Sequence, residues 1–197
     1  MVKPWVGRGH SYTMAGAISL VLLTAGAVGP GAAMAQALDS TTYPARRAYT
    51  HDLRISAPYD PEHNKTVLQT ERMELTPTLA MSALSALDGR TVTKPADGVV
   101  LTFWSTATPA QFAADRAVQL VLNDSVTLDL GKAWLTPNPA PGFVEVMLTS
   151  VSVSRFLALA NARTARIRIG ATGVRLPASI HDGLRDFASR MAPGAAR

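Results

Sequence analysis

The sequence contains no cysteine in its 197 residues. Disulfide bonds, thiol catalysis and cysteine zinc sites are therefore excluded. Aromatic residues make up only 6% of the chain and charged residues 17%, against 47% hydrophobic residues overall. A folded domain must thus be stabilised by the packing of mainly aliphatic side chains.

Motifs of catalysis and nucleotide binding are also missing. The chain has no Gly-x-Ser-x-Gly and no His-Glu-x-x-His sequence. The glycines at 170 and 173 lie between two predicted strands rather than before a helix, so they do not predict a phosphate-binding loop. We therefore predict a protein that is not an enzyme and carries no cofactor.

The N-terminal region has the pattern of a secretory signal peptide. Two basic residues precede an apolar run at residues 14–28, and the small residues Ala33 and Ala35 flank position 34. This pattern predicts cleavage before Gln36 and a periplasmic or secreted location. The alternative of a membrane anchor is disfavoured, because the apolar run is shorter than the roughly 20 residues that span a bilayer.

Cleavage would leave enough residues for a single domain. Residues 36–64 are rich in proline and predict an irregular segment with at most one edge strand, at 46–56. Residues 65–192 predict one β-rich domain, followed by a flexible tail at 193–197.

Several segments have the composition and alternation of strands. These are residues 66–75, 79–87, 99–105 and 143–149, of which 99–105 (VVLTFWS) predicts a buried strand. The three prolines within residues 135–142 predict a stiff, exposed connection.

Two hairpins are predicted near the C-terminus. In the first, at residues 118–130, the apolar sets of both strands face one side only if the loop has an odd number of residues, which Asn123-Asp124-Ser125 provides. In the second, at residues 165–176, a four-residue turn would pair Ile169 with Val174 and place Arg168 opposite Arg175.

Two helices complete the predicted domain. Ser154 is the expected N-cap of a short helix, and Ser179 that of an amphipathic helix over residues 180–191. We expect the second helix to pack on the sheets, with Asp186 and Arg190 paired on its outer side. The fold class is mainly β: seven to nine antiparallel strands in a sandwich or flattened barrel, with a short helix and a C-terminal helix.

The C-terminal segments also resemble the tail of a group of exported bacterial proteins of unknown function. The resemblance implies the same architecture and export, but no mechanism or site residues. The segments that carry it are 156–162 (FLALANA), 166–170 (RIRIG) and 184–191 (LRDFASRM).

Three arginines of the second hairpin form the first candidate site. Residues 150–197 hold eight arginines and two acidic residues, so this region is basic. Like charges on neighbouring strands destabilise a hairpin, so Arg166, Arg168 and Arg175 suggest an external anion or a nearby carboxylate. The alternative is that the guanidinium groups extend freely into water.

Two further candidates lie outside this hairpin. His51, Asp52, Glu62 and His63 supply ligands that suit zinc, although their spacing matches no metal motif and solvated surface residues are the alternative. Trp134, beside the proline-rich connection, can offer a stacking surface to a sugar or a base.

The remaining aromatic and histidine residues predict structural roles. Trp104 lies within an apolar strand and is expected in the core. His181 falls in the first turn of the final helix and is expected on the surface.

Three functions follow from these observations. The first is an exported, non-enzymatic domain that binds a protein or a cell-envelope component, with no nucleic acid partner and no membrane span after cleavage. The second is a basic module that binds an anion or polysaccharide through the arginines. The third is a metal-dependent enzyme that uses the segment from His51 to His63.

Overall fold

The fold consists of two antiparallel sheets and two helices. The structure is a computed structural model that describes residues 42–137, 139 and 141–193. The predicted signal peptide and its cleavage site lie outside these residues. The fold is mainly β, as predicted, and neither sheet closes into a barrel.

The described residues form twelve strands, more than the seven to nine predicted, because several strands are only two residues long. The strands are β1 (Ile55–Ser56), β2 (Tyr59–Asp60), β3 (Lys65–Thr70), β4 (Met73–Thr76), β5 (Leu79–Asp88), β6 (Val99–Ser105), β7 (Ala117–Leu122), β8 (Val126–Lys132), β9 (Trp134–Leu135), β10 (Glu145–Val151), β11 (Ala165–Ile169) and β12 (Thr172–Arg175). The helices are α1 (Val153–Asn161) and α2 (Ala178–Arg190).

The eight-stranded sheet, called the large sheet below, has the order β1-β3-β5-β6-β10-β9, with β2 also paired to β3 and β4 to β5. The four-stranded sheet, the small sheet, has the order β12-β11-β7-β8. Alternate residues of both sheets are buried in one shared hydrophobic cluster. This alternation is what a sandwich requires, because each strand turns every second side chain towards the core.

The strand at Val99–Ser105 has the predicted bounds, and its alternate residues are fully buried. The predicted strand at 66–75 is instead divided into β3 and β4. Both pair with β5, but the register shifts by one residue between them, since Gln69 pairs with Leu84 and Met73 with Met81. The break leaves the exposed Glu71 and Arg72 outside the ladder with β5, and the register shifts again within β4, between Glu74 and Thr76.

The hairpin of β7 and β8 has the predicted three-residue loop. Asn123 and Asp124 have φ of 51° and 57°, a backbone conformation that these two residues tolerate better than most. Leu122 pairs with Val126, so the apolar residues of both strands face the core. Leu130 departs from the simple alternation, because a bulge pairs Val118 with Gly131 instead.

Both helices begin at other residues than predicted. Ser152, not Ser154, is the N-cap of α1, and its Oγ accepts a hydrogen bond from the backbone N–H of Arg155. Helix α2 starts at Ala178 after Pro177 and has no side-chain cap, so Ser179 does not fill that role. Pro177 occupies the N-cap position instead, and its carbonyl oxygen accepts the N–H of His181 at 3.0 Å.

Helix α2 packs mainly on α1 rather than directly on the sheets. The rings of Phe156 and Phe187 meet edge to face, with their centroids 5.5 Å apart. The carbonyl groups at the C-terminal end of an α-helix lack N–H partners within the helix. Helix α2 supplies hydrogen-bond donors to this end of α1. Arg185 donates to Ala160 O at 2.9 Å and to Ala162 O at 2.7 Å.

The segment before β1 is attached to the two helices. Asn161 Nδ2 donates to the carbonyl of Thr42 at 2.8 Å, and Leu53 lies against α2. A Cβ at Gly183 would lie 2.5 Å from Leu53 Cδ2, so only glycine permits this close approach. Residues 42–56 therefore cover the helix pair.

Candidate anion-binding surface

Three arginines share the outer face of the small sheet and are called the arginine surface below. On β11, Arg166 and Arg168 are exposed while Ala165, Ile167 and Ile169 are buried, so strict alternation separates the charged face from the core. Arg175 is exposed on the neighbouring strand β12. The structure thus brings the three predicted residues together.

The register of this hairpin differs from the prediction. Arg175 lies opposite Arg166, not Arg168, and Arg168 lies opposite Gly173. The turn has two residues instead of four, and its first residue, Gly170, has φ of 54°. A glycine at this position of a two-residue hairpin turn supplies the positive φ that the strand twist demands.

None of the three arginines forms an ion pair with a carboxylate of the described residues. Arg168 Nε donates to the backbone carbonyl of Gly170 at 3.0 Å. In the same cross-strand row, Gln119 is the next residue and Asp129 lies one strand further away. Asp129 Oδ1 accepts the N–H of Gly131 at 2.8 Å. These two cross-strand rows thus contain one carboxylate, that of Asp129, and three guanidinium groups.

The chemistry of the three arginines suits the binding of anions. Arginine remains protonated and offers only hydrogen-bond donors, in a planar arrangement that fits carboxylate, sulfate and phosphate groups. The cross-strand rows of these arginines continue to Gln119 and Asp129 in one case and to Val121 and Thr127 in the other. The three guanidinium groups can therefore hold anions, whereas they offer no proton acceptor of their own.

The four predicted metal ligands do not form a metal site. Within the described ranges, no group of three or more His, Asp or Glu side chains lies close enough to hold a metal ion. His63 Nδ1 instead lies 2.7 Å from Asp60 Oδ2, and Asp52 and Glu62 are exposed. The prediction failed because the two histidines are fixed by different partners.

His51 contacts helix α2, and this contact was not predicted. Its Nε2 lies 3.3 Å from Asp186 Oδ2, and its Nδ1 accepts the N–H of Leu53 at 3.1 Å. Asp186 also pairs with Arg190, at 2.7 Å, as predicted. The pair is not on the outer side of the helix, however, because residues 42–56 cover Asp186 and bury it.

His63 borders an open depression of about 590 Å³ at the end of β3 and β5. Lys65 and Asp88 form an ion pair across it, and this hydrogen bond raises the pKa of Lys65 and lowers the pKa of Asp88. The Arg90 guanidinium lies over the Tyr59 ring, 4.6 Å from its centroid. Lys94 also lines the depression, so its lining has three basic side chains, Lys65, Arg90 and Lys94, and one acidic side chain, Asp88.

His181 is buried, contrary to the prediction that it lies on the surface. Its Nε2 lies 2.8 Å from the carbonyl oxygen of Leu159, which also accepts the backbone N–H of Ala162 at the end of α1. Burial lowers the pKa of His181, an effect that the hydrogen bond to Leu159 partly opposes. The position of His181 in the first turn of α2 did not predict its burial, because its hydrogen-bond partner, Leu159, belongs to the other helix.

Glu145 is a buried carboxylate that the sequence analysis missed. Its oxygens accept the backbone N–H groups of Gln111 and Phe112 at 2.8 and 2.9 Å, which fixes the loop between β6 and β7. A signal was present in the sequence. Glu145 has the same strand parity as Met147, so alternation places both side chains in the core.

The two tryptophans considered for stacking belong to the large sheet. Trp134 is 60% exposed and pairs with Leu148 at the sheet edge, away from the arginine surface. Trp104 is half-buried on the outer face rather than in the core, and its ring lies 6.4 Å from that of Phe143. An even-numbered position of β6 faces outward, since Phe103 and Ser105 face the core.

No helix in the described part of the chain combines the length and the apolar composition that crossing a membrane requires. Comparisons with protein-family models, curated proteins and solved structures find no match to this chain. The resemblance to exported bacterial proteins therefore stays a prediction.

Proposed function

We propose that this protein is an exported, non-enzymatic domain that binds an anionic polysaccharide through the arginine surface. The observation that supports this function is the grouping of three exposed guanidinium groups on adjacent strands, without carboxylates in ion-pair contact. Export rests on the sequence of the leader, which lies outside the described residues.

The spacing of the arginines suits a repeating anion. The Cβ atoms of residues directly opposite in an antiparallel pair are about 5 Å apart, so Arg166 and Arg175 can hold one carboxylate or sulfate together. Arg168 follows two residues along the strand, about 7 Å away, and can bind the next anionic group. A flat sheet face accepts such an extended chain without a deep pocket.

The neighbouring side chains favour a polysaccharide over a lipid surface. Gln119 and Thr127 share the outer face of the small sheet, and their polar groups can bind hydroxyls. Among the described residues, the large hydrophobic side chains with high exposure are Trp134 and Val144, and both lie at the large sheet. The apolar side chain beside Arg166 on this face is the half-buried Val121, so the arginine surface has no exposed large apolar side chain that could insert into a bilayer.

The test compares two variants with equal changes in charge. In the first, all three arginines of the surface are replaced by Gln; in the control, Arg46, Arg47 and Arg54, which are also exposed, are replaced by Gln. Binding to dextran sulfate and to polygalacturonate is measured by titration calorimetry at low and physiological salt. We expect the surface variant to bind at least about tenfold more weakly, and the control to bind nearly as the wild type.

Three results would contradict the proposal. Equal losses in both variants would show that net charge alone drives binding. The absence of polysaccharide binding by the wild type would remove the function directly. Binding to vesicles with anionic lipid, but to neither polysaccharide, would identify a membrane surface as the ligand instead.

A further inference from the structure

The open depression at the end of β3 and β5, called the basic depression below, has a volume of about 590 Å³. Small-molecule sites in proteins occupy about 300–1,000 Å³, so this concave surface is large enough to hold such a ligand. It belongs to the large sheet, whereas the arginine surface belongs to the small sheet. Its basic side chains are Lys65, Arg90 and Lys94, and its neutral polar side chains are Asn64, Thr91 and Thr93.

The positive charge of the basic depression exceeds the negative charge that lines it. Asp88 forms an ion pair with Lys65, and the charge of Lys94 also lowers the pKa of Asp88, after the larger effect of Lys65. Beyond the lining, Asp97 adds a weaker effect to that of Asp88 in raising the pKa of Lys65. In the part of the chain that the structure describes, neither Arg90 nor Lys94 forms an ion pair. Two cationic side chains therefore keep donors for an anion.

These two side chains are attached to backbone that is already fixed. The Arg90 guanidinium lies over the Tyr59 ring, and its N–H donors lie in the guanidinium plane, so this contact leaves them available. Lys94 belongs to the loop between β5 and β6, which is anchored on either side of it by the buried Val92 and Ala96. An anion would thus meet cations that need little ordering on binding.

We propose that the basic depression binds a phosphate or sulfate group carried by a small polar molecule. Arginine offers these tetrahedral anions paired N–H donors in one plane, and lysine adds a compact point charge. Arg90 and Lys94 would hold the oxygens of the anion between them. The Lys65–Asp88 pair would border the site without neutralising it.

The rest of the lining suits the polar part of such a ligand. Thr91 and Thr93 are exposed and carry hydroxyl groups that can both donate and accept hydrogen bonds. Asn64 Oδ1 accepts the hydroxyl of Tyr59 at 3.0 Å, so the amide of Asn64 presents its N–H groups as donors. These groups match the hydroxyls of a sugar or a similar small polyol.

The experiment titrates isotope-labelled protein with glucose 6-phosphate, glucose 6-sulfate and unmodified glucose, and follows the backbone amide signals by two-dimensional NMR. We expect saturable shifts at the lining residues with at least one ester, and binding of glucose at least about tenfold weaker. The ester that binds more tightly identifies the anion that the site prefers.

A double variant, R90Q with K94Q, removes both cations that lack an ion pair. We expect it to bind the preferred ester at least about tenfold more weakly. The matched control combines K132Q with R163Q, which removes one lysine and one arginine at exposed positions outside the depression, and it should bind as the wild type does. K94E, a single change in the exposed part of the loop, is the second variant if the double variant does not fold, and it should weaken binding too.

The triple Gln variant of the arginine surface separates this site from the proposed function. It should bind the ester as the wild type does, whether or not it has lost polysaccharide binding. The absence of saturable shifts with both esters would overturn the proposal, and so would glucose binding as tight as that of the esters. An equal loss in the R90Q and K94Q double variant and in its matched control would also overturn it, because net charge alone would then explain binding.

Discussion

The outer faces of the two sheets differ more than any other two comparable regions of this protein. Both sheets bury their inner faces in one core, and both do so by the same alternation of side chains. The small sheet nevertheless has three arginines on its outer face, whereas the outward residues of β6 and β10 in the large sheet have no charge. Since folding fixes only the inner faces, the composition of the outer faces points to what each face contacts.

Both sheets share one hydrophobic core, so a mutation in this core should destabilise the whole domain. Phe187→Ala is expected to have the largest effect on the free energy of unfolding. Phe187 is fully buried between α2 and α1, and truncation of such a residue costs about 3–5 kcal/mol. Urea unfolding followed by circular dichroism should show a single transition at a much lower midpoint. Trp134→Ala, at a 60% exposed site, should change the free energy of unfolding by less than about 0.5 kcal/mol. An unchanged midpoint in F187A would show that α2 is not part of this core.

Glu145→Gln tests the loop that connects β6 of the large sheet to β7 of the small sheet. The carboxyl group accepts two backbone N–H groups in a buried site, and the amide can accept only through one oxygen. We expect a loss of about 1–3 kcal/mol in the free energy of unfolding. Glu74→Gln, at an exposed position of β4, is the control and should have little effect. Equal midpoints for both variants would mean that the carboxylate does not hold the loop.

The pH dependence of the free energy of unfolding tests the contact between α1 and α2 at the buried His181. The pKa of His181 is lowered from 6.5 in the folded protein, mainly by burial, while Arg185 lowers it and Asp182 raises it. The unfolded chain therefore binds the proton more readily, and stability falls as the pH drops below about 6.5 towards the folded pKa. We expect H181Q, which keeps a donor to Leu159, to show a shallower decline between pH 7 and 5.

His63 supplies the matched control for this measurement. Its pKa is raised by the hydrogen bond to Asp60, so its contribution has the opposite sign and is lost as the pH rises through the folded value. H63Q should therefore not flatten the acid decline. A decline that is the same in H181Q and the wild type would exclude His181 as its source.

The smallest expected effect concerns the arginine surface itself. Arg166 and Arg175 are directly opposite like charges, which destabilise a strand pair by a few tenths of a kcal/mol. Arg175→Gln should thus leave the protein as stable or slightly more stable, while it weakens polysaccharide binding. A double-mutant cycle with Arg166→Gln, measured by urea unfolding, gives the repulsion directly. A stability loss above about 1 kcal/mol would show that these arginines have a structural role instead.

Local patterns in the sequence were sufficient to predict many of the elements. Strand β6 has its predicted bounds, and the loop of the β7–β8 hairpin was predicted from parity and from the tolerance of Asn123 and Asp124 for positive φ. The three arginines were correctly expected on one face, since residues two apart on a strand share a side. The register of their hairpin was predicted wrongly, because a two-residue turn at Gly170 was as compatible with the sequence as a four-residue turn.

The roles of polar residues were predicted less well. His181 and His51 were assigned to the surface or to a metal, yet they contact a carbonyl of α1 and a carboxylate of α2. Each of these contacts joins residues more than twenty positions apart in the chain. No local pattern specifies such partners, because they depend on how the elements pack.

By itself, the sequence determined a cysteine-free, mainly β domain with alternating strands, a basic C-terminal part and a predicted export signal, because composition and side-chain periodicity act over a few neighbouring residues. Only the tertiary structure decided which polar groups are buried, which arginines lie opposite each other and which strands have uncharged outward residues. The physical reason is that burial, register and charge pairing are properties of elements in contact, and the contacts form between residues that are distant in the chain.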